Sequence, residues 1–211
     1  MKERYVSPVV VKRLPRYYRY LDDLLRKNIK RISSTELSRK MGVTASQIRQ
    51  DLNCFGGFGQ QGYGYNVEVL HEKIGSILGI NNGFKIIIVG AGHLGHALAN
   101  HNFKKRGFEL VGIYDTDPDI IGTDIAGLTV EDYNNIDASL SDKKPDIAIL
   151  SVPKSAVNEV AERLVANGVN GMLNFTYAEL NLPENVMVEN VHISDTLMTL
   201  AYRLSETEEH I

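Results

Sequence analysis

Residues 85–99, KIIIVGAGHLGHALA, decide how this chain folds. Ile86, Ile87, Ile88 and Val89 make a short continuous apolar run, the length of a buried strand. Gly90-x-Gly92-x-x-Gly95 follows, and Leu94, Leu98 and Ala99 then recur at helical spacing. A bare G-x-G-x-x-G is weak; between a strand and a helix it specifies a dinucleotide-binding turn. Gly90 makes the tight turn, Gly92 admits a pyrophosphate to the backbone, and Gly95 lets helix and strand pack closely. The candidate phosphate loop is therefore Gly90, Ala91, Gly92, His93, Leu94, Gly95 and His96, with free N–H groups at the helix start.

Downstream, FELVGIYD (108–115) reads as a second strand and ends at Asp115, twenty residues beyond Gly95. An acidic side chain there bonds the adenosine ribose and repels a 2′-phosphate, which favours NAD(H) over NADP(H). Asp117 and Asp119 follow, so a plain loop carboxylate is the alternative; register with the glycines favours the ribose role. PDIAILSVP (145–153), GMLNFT (171–176) and VMVENV (186–191) read as further strands. Between the first two lies a helix with Ser155 as its cap and Val157, Val160, Ala161, Leu164 and Val165 as its apolar face. Val152, Pro153, Asn174 and Thr176 stand at strand ends that should face the same carboxyl-edge crevice as Gly90. Asn174 is a candidate contact for a nicotinamide; a turn-forming Asn is the alternative. The last segment, SDTLMTLAYRLSETEEHI, reads as a helix capped by Ser194, with a stripe of Leu197, Leu200, Ala201 and Leu204. It lies beyond the sheet and packs either on its own domain or on a partner.

Upstream the character changes. Residues 1–83 hold 14 Lys+Arg against 7 Asp+Glu, and residues 84–211 hold 9 against 19. The near-neutral total thus hides a basic module for a polyanion joined to an acidic one. Ser7-Pro8 is a helix start, and Leu14, Tyr17, Tyr18, Leu21, Leu24 and Leu25 recur at helical spacing. Pro15 should divide that run into a turn over 8–14 and a helix over 16–27. Ser33–x–x–Glu36 and Thr44–x–x–Gln47 are capping boxes eleven residues apart, with Gly42 between them. They define two short helices in helix-turn-helix arrangement. Ile48 and Leu52 bury the second, leaving Thr44, Ser46, Gln47, Arg49 and Gln50 for the major groove. Lys12, Arg13 and Arg16 are phosphate candidates on the first helix.

FGGFGQQGYGYNV (55–67) carries five glycines but opens no helix with a Lys-Ser/Thr pair, so it is no phosphate loop. Tyr63, Tyr65, Val67 and Val69 alternate with small or polar residues, which is strand periodicity. The run reads as a β-hairpin wing, with Gly59, Gln60 and Gln61 at its DNA-facing turn. Residues 81–83, Asn-Asn-Gly, mark the domain boundary.

No apolar run reaches the ~20 residues of a membrane span, and no long apolar leader is present. Cys54 is the sole cysteine, excluding an intrachain disulfide; it reads as a small buried side chain. No Cys/His spacing suggests a metal. A dehydrogenase needs a proton-transfer group and room for substrate. His93 and His96 sit on the phosphate loop, His101 and His192 are the other candidates, and no Ser-Tyr-x-x-x-Lys run occurs. The nucleotide is therefore expected to be sensed rather than consumed. A small NAD-dependent oxidoreductase, or a DNA-binding sensor of another nucleotide such as coenzyme A, are the alternatives.

KRLPRYYRYL, SSTELSRKMGVTASQIRQDL, FGGFGQQGYGYNVEVL, IIIVGAGHLGHALA and LNFTYAELNLPENVMVENVHISD, in that order, resemble the Rex family of redox-sensing transcriptional repressors. The resemblance covers nearly the whole chain. It implies a winged helix-turn-helix domain (1–80), a Rossmann-type parallel-sheet domain binding NAD(H) (84–192), and a domain-swapped dimerisation helix (193–211). It implies a cytoplasmic homodimer that holds an inverted-repeat operator in double-stranded DNA and releases it when NADH replaces NAD+. Ile193 is then expected to approach the partner subunit's nicotinamide pocket. Gln60, Gln61 and Gln50 depart from basic residues frequent in that family, and His93, His101 and His192 also depart from its pattern.

Overall fold

A computed structural model describes residues 6–56, 59–60 and 63–208. The chain divides into two compact units, at residues 82 and 83, where the Asn-Asn-Gly turn places the boundary.

The first unit opens with α1 (Pro8–Arg26), a single helix with Pro15 inside it. The expected break at Pro15 does not occur. Val10, Leu14, Tyr17, Leu21 and Leu24 are buried along one stripe, and their packing outweighs the one backbone bond that an exposed proline forfeits. Ser7 holds the N-cap position without a side-chain bond; its carbonyl accepts from Val10 and Val11 N–H instead. β1 (Arg31–Ile32) leads to α2 (Ser34–Met41), where the capping box forms: Ser33 Oγ accepts from Glu36 N–H at 3.1 Å and Glu36 Oε2 accepts from Ser33 N–H at 2.8 Å. Gly42 ends α2 in the left-handed region at φ 68°. α3 (Ala45–Asn53) starts on half a box. Thr44 Oγ1 accepts from Gln47 N–H, but the Gln47 side chain runs forward to Asp51.

β2 (Gly59–Gln60) and β3 (Gly64–Asn66) form the wing and join β1 in an antiparallel sheet of order β1-β3-β2. Gly64 is required there: at φ +70° a Cβ would sit 2.7 Å from the Ile32 carbonyl oxygen. The alternation expected through Val69 stops at Asn66. Its Oδ1 accepts from Val69 N–H and so caps α4 (Val67–Ile77), a local bond that turns strand into helix. Leu14, Tyr17, Leu21, Leu37, Ile48, Leu52, Leu70 and Ile74 meet in this unit's core.

The second unit is built on a sheet of order β10-β9-β8-β4-β5-β7-β6. Its strands are β4 (Phe84–Val89), β5 (Phe108–Asp115), β6 (Asp124–Ile125), β7 (Leu128–Asp132), β8 (Ile147–Leu150), β9 (Gly171–Asn174) and β10 (Met187–Asn190). All pairs are parallel except β6 with β7. Alternate residues of β4 enter different clusters: Ile87 and Val89 join Tyr114, Leu140, Leu150 and Leu164, whereas Ile86 and Ile88 join Ile113, Ile149 and Ala99. Burial on both faces is why the strand reads as an unbroken apolar run. The helices are α5 (His93–Ala99), α6 (Ile136–Lys143), α7 (Val157–Ala166) and α8 (Ile193–Glu208). Ser155 and Ser194 are not the expected caps: α7 starts from Ala156, and Ser194 lies inside α8 with its hydroxyl donated to Tyr177 Oη at 3.0 Å.

Candidate functional site

The carboxyl ends of β4, β5 and β8 open onto a cavity of about 660 Å³. Gly90, Gly92, Asp115, Val152 and Pro153 line it, as the sequence predicts. Backbone geometry explains each glycine. Gly90 sits at φ +97°, and a Cβ there would lie 2.5 Å from Ser151 O. A Cβ on Gly95 would fall 1.8 Å from Gly90 O. Gly92 meets nothing within 4 Å, so its space is open to a ligand rather than filled by protein. Ser151, just after β8 and beside Val152, braces the loop: its Oγ donates to Gly90 O at 2.8 Å.

Asp115 ends β5 and turns back on the loop. Its Oδ2 accepts from Ala91 N–H at 2.5 Å, and Oδ1 accepts from Thr116 and Asp117 N–H at 2.7 and 2.9 Å. The carboxylate is thus fixed at the rim, beside the glycine turn. Ala91 is buried, and Leu94 is exposed on α5; Ala91, His93, Leu94, Gly95 and His96 do not line the cavity.

Four residues outside every sequence motif close the cavity's other side: Tyr133, Asn134, Glu159 and Arg163. Arg163 pairs with Asp137 through Nε at 3.0 Å and Nη2 at 2.8 Å, and donates to the Tyr133 and Asn134 carbonyls. Its guanidinium lies 4.9 Å from the centre of the Tyr133 ring. The Tyr133 hydroxyl is buried with no hydrogen-bond partner among the described residues. The glycine cradle and the rim carboxylate together fit a dinucleotide.

Asn174 and Thr176 are buried, and Asn174 pairs in register with Leu150, next to Ser151 of the cavity lining. Asn174 Nδ2 donates to Ala178 O and Asn190 Oδ1, and its Oδ1 accepts from Thr176 N–H and Oγ1. The side chain shapes the loop after β9. His192 Nε2 lies 3.1 Å from Thr176 O, and its ring stacks on Tyr177 at 5.0 Å. Ile193 is exposed at the start of α8.

In the first unit, Thr44, Ser46, Arg49 and Gln50 are exposed along α3, and Lys12 and Arg16 are exposed on α1. Arg13 and Gln47 are placed differently. Arg13 Nε and Nη2 both donate to the Asp51 carboxylate at 2.7 Å, Tyr17 Oη donates to it at 2.6 Å, and Gln47 Nε2 at 2.8 Å. Burial pushes the Asp51 carboxyl up, but the bonds from Arg13, Tyr17 and Gln47 outweigh it and hold the group below the usual carboxylate range. Gly59 and Gln60 form β2, and Gln61 lies outside the described residues.

Among the described residues no helix is long and apolar enough to cross a membrane, and no cluster of His, Cys, Asp and Glu suits a metal ion. Residues 5–53 match a family model described as a putative DNA-binding protein N-terminus, and residues 81–178 match one described as a CoA binding domain. A redox-sensing transcriptional repressor Rex from a Thermoanaerobacter species is 51% identical over 98% of this chain and 93% of its own length. One from Clostridium acetobutylicum is 50% identical over 99% and 98%. Among solved structures, RSP in complex with beta-NAD+ and operator DNA matches with a TM-score of 0.90 at 51% identity, covering 98% of this chain and 95% of that one. RSP in complex with beta-NADH matches with a TM-score of 0.90 at 48% identity, covering 97% of each.

Proposed function

This chain belongs to the Rex family of redox-sensing transcriptional repressors, and from that membership we propose that it holds operator DNA and releases it when NADH replaces NAD+ in its crevice. The observation that carries the reading is the open space at Gly92 beside the Asp115 carboxylate, in a chain that also holds a capped helix-turn-helix with a wing. The bound nicotinamide supplies a ring that is cationic when oxidised and neutral when reduced. Gly90 and Gly92 admit the pyrophosphate to the backbone, and Asp115 holds the ribose. Val152 and Pro153 offer apolar surface, which penalises a cation more than a neutral ring. This chain's residues thus read the dinucleotide and do not turn it over.

The working unit is a cytoplasmic homodimer on an inverted repeat, since two recognition helices must meet major grooves about 34–36 Å apart or a multiple of that. Two features of the second unit support the dimer. Leu197, Leu200 and Leu204 on α8 are exposed. A groove of about 450 Å³ lined by Ile86, Phe103, Ile149, Leu173 and Met187 runs along one sheet face. Exposed apolar faces of this kind mark interaction sites, and exchange of α8 between protomers satisfies both. A change in spacing between the two basic heads then releases DNA; a tenfold effect needs only ~1.4 kcal/mol of coupling.

The match to a CoA binding domain favours a second reading, a sensor of coenzyme A on the same sheet. One experiment separates them. NADH, NAD+, NADPH and coenzyme A are compared at saturation for release of the operator duplex. Release by NADH alone is expected. Equal operator affinity with NADH and NAD+ overturns the redox reading, and release by coenzyme A replaces it with the second one. Steady NADH oxidation with any 2-oxo acid or aldehyde overturns the non-enzymatic reading.

A further inference from the structure

The wing carries no charge of its own. Residues 55–67 contain no Lys, Arg, Asp or Glu, yet a wing beside a recognition helix works against a polyanion. A cation reaches it from the neighbouring strand. Arg31, on β1, is exposed and forms no ion pair among the described residues. Its Nη1 donates to the Tyr63 carbonyl at 3.1 Å, and its guanidinium carbon lies 6.0 Å from the centre of the Tyr63 ring. Tyr63 itself is 69% exposed, a large aromatic side chain held open to solvent at the end of the hairpin. The register Arg31↔Asn66 and Ile32↔Tyr65 fixes Arg31 beside β3.

The arrangement leaves most of the guanidinium's five donors free while fixing its position. A guanidinium held on an aromatic ring, with no carboxylate to neutralise it, suits a phosphate diester; the exposed ring suits the adjoining sugar. We propose that Arg31, seated on Tyr63, is the DNA-backbone contact of the wing, lent by β1 to a hairpin that has no basic residue. The inference rests on the DNA-binding reading above and extends it to two residues outside the helix-turn-helix.

The test uses the full-length protein and a duplex that the wild type selects from a random-sequence pool, followed by anisotropy across a salt series. Arg31→Ala should lower the slope of log K against log[salt] by about 0.9 for each phosphate it no longer neutralises, and Arg31→Lys should keep the wild-type slope. Tyr63→Ala should weaken binding several-fold while Tyr63→Phe, which keeps the ring, should not. NADH titration and thermal melting should be unchanged in all four, because none touches the crevice. A wild-type slope in Arg31→Ala overturns the proposal even where affinity falls, since that pattern means Arg31 only props the hairpin. Should Arg31→Ala not fold, a reduced slope in Arg31→Gln supports the proposal and a wild-type slope overturns it. A wild type that selects no duplex removes the DNA-binding reading and this inference together.

Discussion

Arg13 grips Asp51 through two bonds of 2.7 Å, tying the first helix of the DNA-binding unit to the last turn of its α3. Asp51 is fully buried, and the same carboxylate also takes the Tyr17 hydroxyl and the Gln47 amide. The recognition helix is therefore fixed in rotation by a polar clamp as well as by Ile48 and Leu52. Gln47, expected to face bases, has its amide turned inward to that clamp.

Breaking the clamp should destabilise the unit. Asp51→Ala leaves a guanidinium and a buried phenol without their partner, a loss of about 3 kcal/mol. Acid should act in the same direction. The folded carboxyl is held below its ordinary 3.8, so its contribution is complete above the ordinary value and is lost as pH falls through the depressed one. Denaturant melts of the first unit should show the destabilisation at neutral pH, and an acid-induced loss in the wild type that the variant lacks. Equal acid sensitivity in both would mean that Asp51 is not the group that titrates.

Arg16 and Arg13 are three residues apart and should behave differently. Arg16 is exposed on α1. Arg16→Ala should weaken DNA binding similarly on all sequences and lower the salt slope by about one, with stability unchanged. Arg13→Ala should lower stability first. An unchanged salt slope in Arg16→Ala would mean that Arg16 touches no phosphate.

The two loop glycines make a second contrasting pair. A methyl group on Gly95 would lie 1.8 Å from the Gly90 carbonyl oxygen, so Gly95→Ala must push helix and strand apart, at a cost of about 1–3 kcal/mol. Gly92 has open space and a φ of −61° that alanine adopts freely. Gly92→Ala should leave the melting temperature of the second unit unchanged and weaken NADH binding at least tenfold. Calorimetric titration beside a thermal melt checks both; normal NADH affinity in Gly92→Ala would show that no ligand passes that backbone.

The glycines were legible because strand, turn and helix each impose a pattern on sequence, and here the patterns abut. The capping box at Ser33 and the rim carboxylate of Asp115 were legible for the same reason: each sits at a fixed spacing from a partner. What escaped was set by tertiary contact. Tyr133 and Arg163 lie thirty residues apart and meet only because α7 packs back against the turn after β7. Pro15 announced a break that buried neighbours on α1 overrode. Asn66 ended the wing strand through one side-chain bond that alternation could not foresee. β6, β7 and α6 were not legible, because two-residue and five-residue strands and a helix with only Ile136 and Leu140 buried leave little periodicity to read.

Asp115 should set both affinity and cofactor choice. It already accepts three backbone N–H bonds, so its charge is fixed at the rim rather than free to swing away from a 2′-phosphate. Asp115→Ala should weaken NADH by about 1.5–3 kcal/mol, the range for bonds to a charged group, and narrow the gap to NADPH. Operator affinity without nucleotide should be unchanged. Parallel NADH and NADPH titrations decide it, and a wild-type NADH constant in the variant would refute the ribose role.

The exposed stripe on α8 makes the strongest demand on quaternary structure. Ile193, Leu197, Leu200 and Leu204 are each at least half exposed, and a groove of matching character lies on the sheet of the same unit. A lone chain has no gain to set against that much apolar surface in water. Leu197→Glu with Leu204→Glu puts two charges where the proposed partner would pack, and unpaired burial of a carboxylate costs far more than the surface it replaces. The doubly substituted protein should sediment as a monomer, keep its melting transition, and still bind NADH, because the crevice residues belong to other elements. Operator binding should fall by orders of magnitude, since one basic head alone meets one half-site. A dimer that survives both charges would mean that α8 is not the element exchanged, and that its apolar stripe serves some other partner.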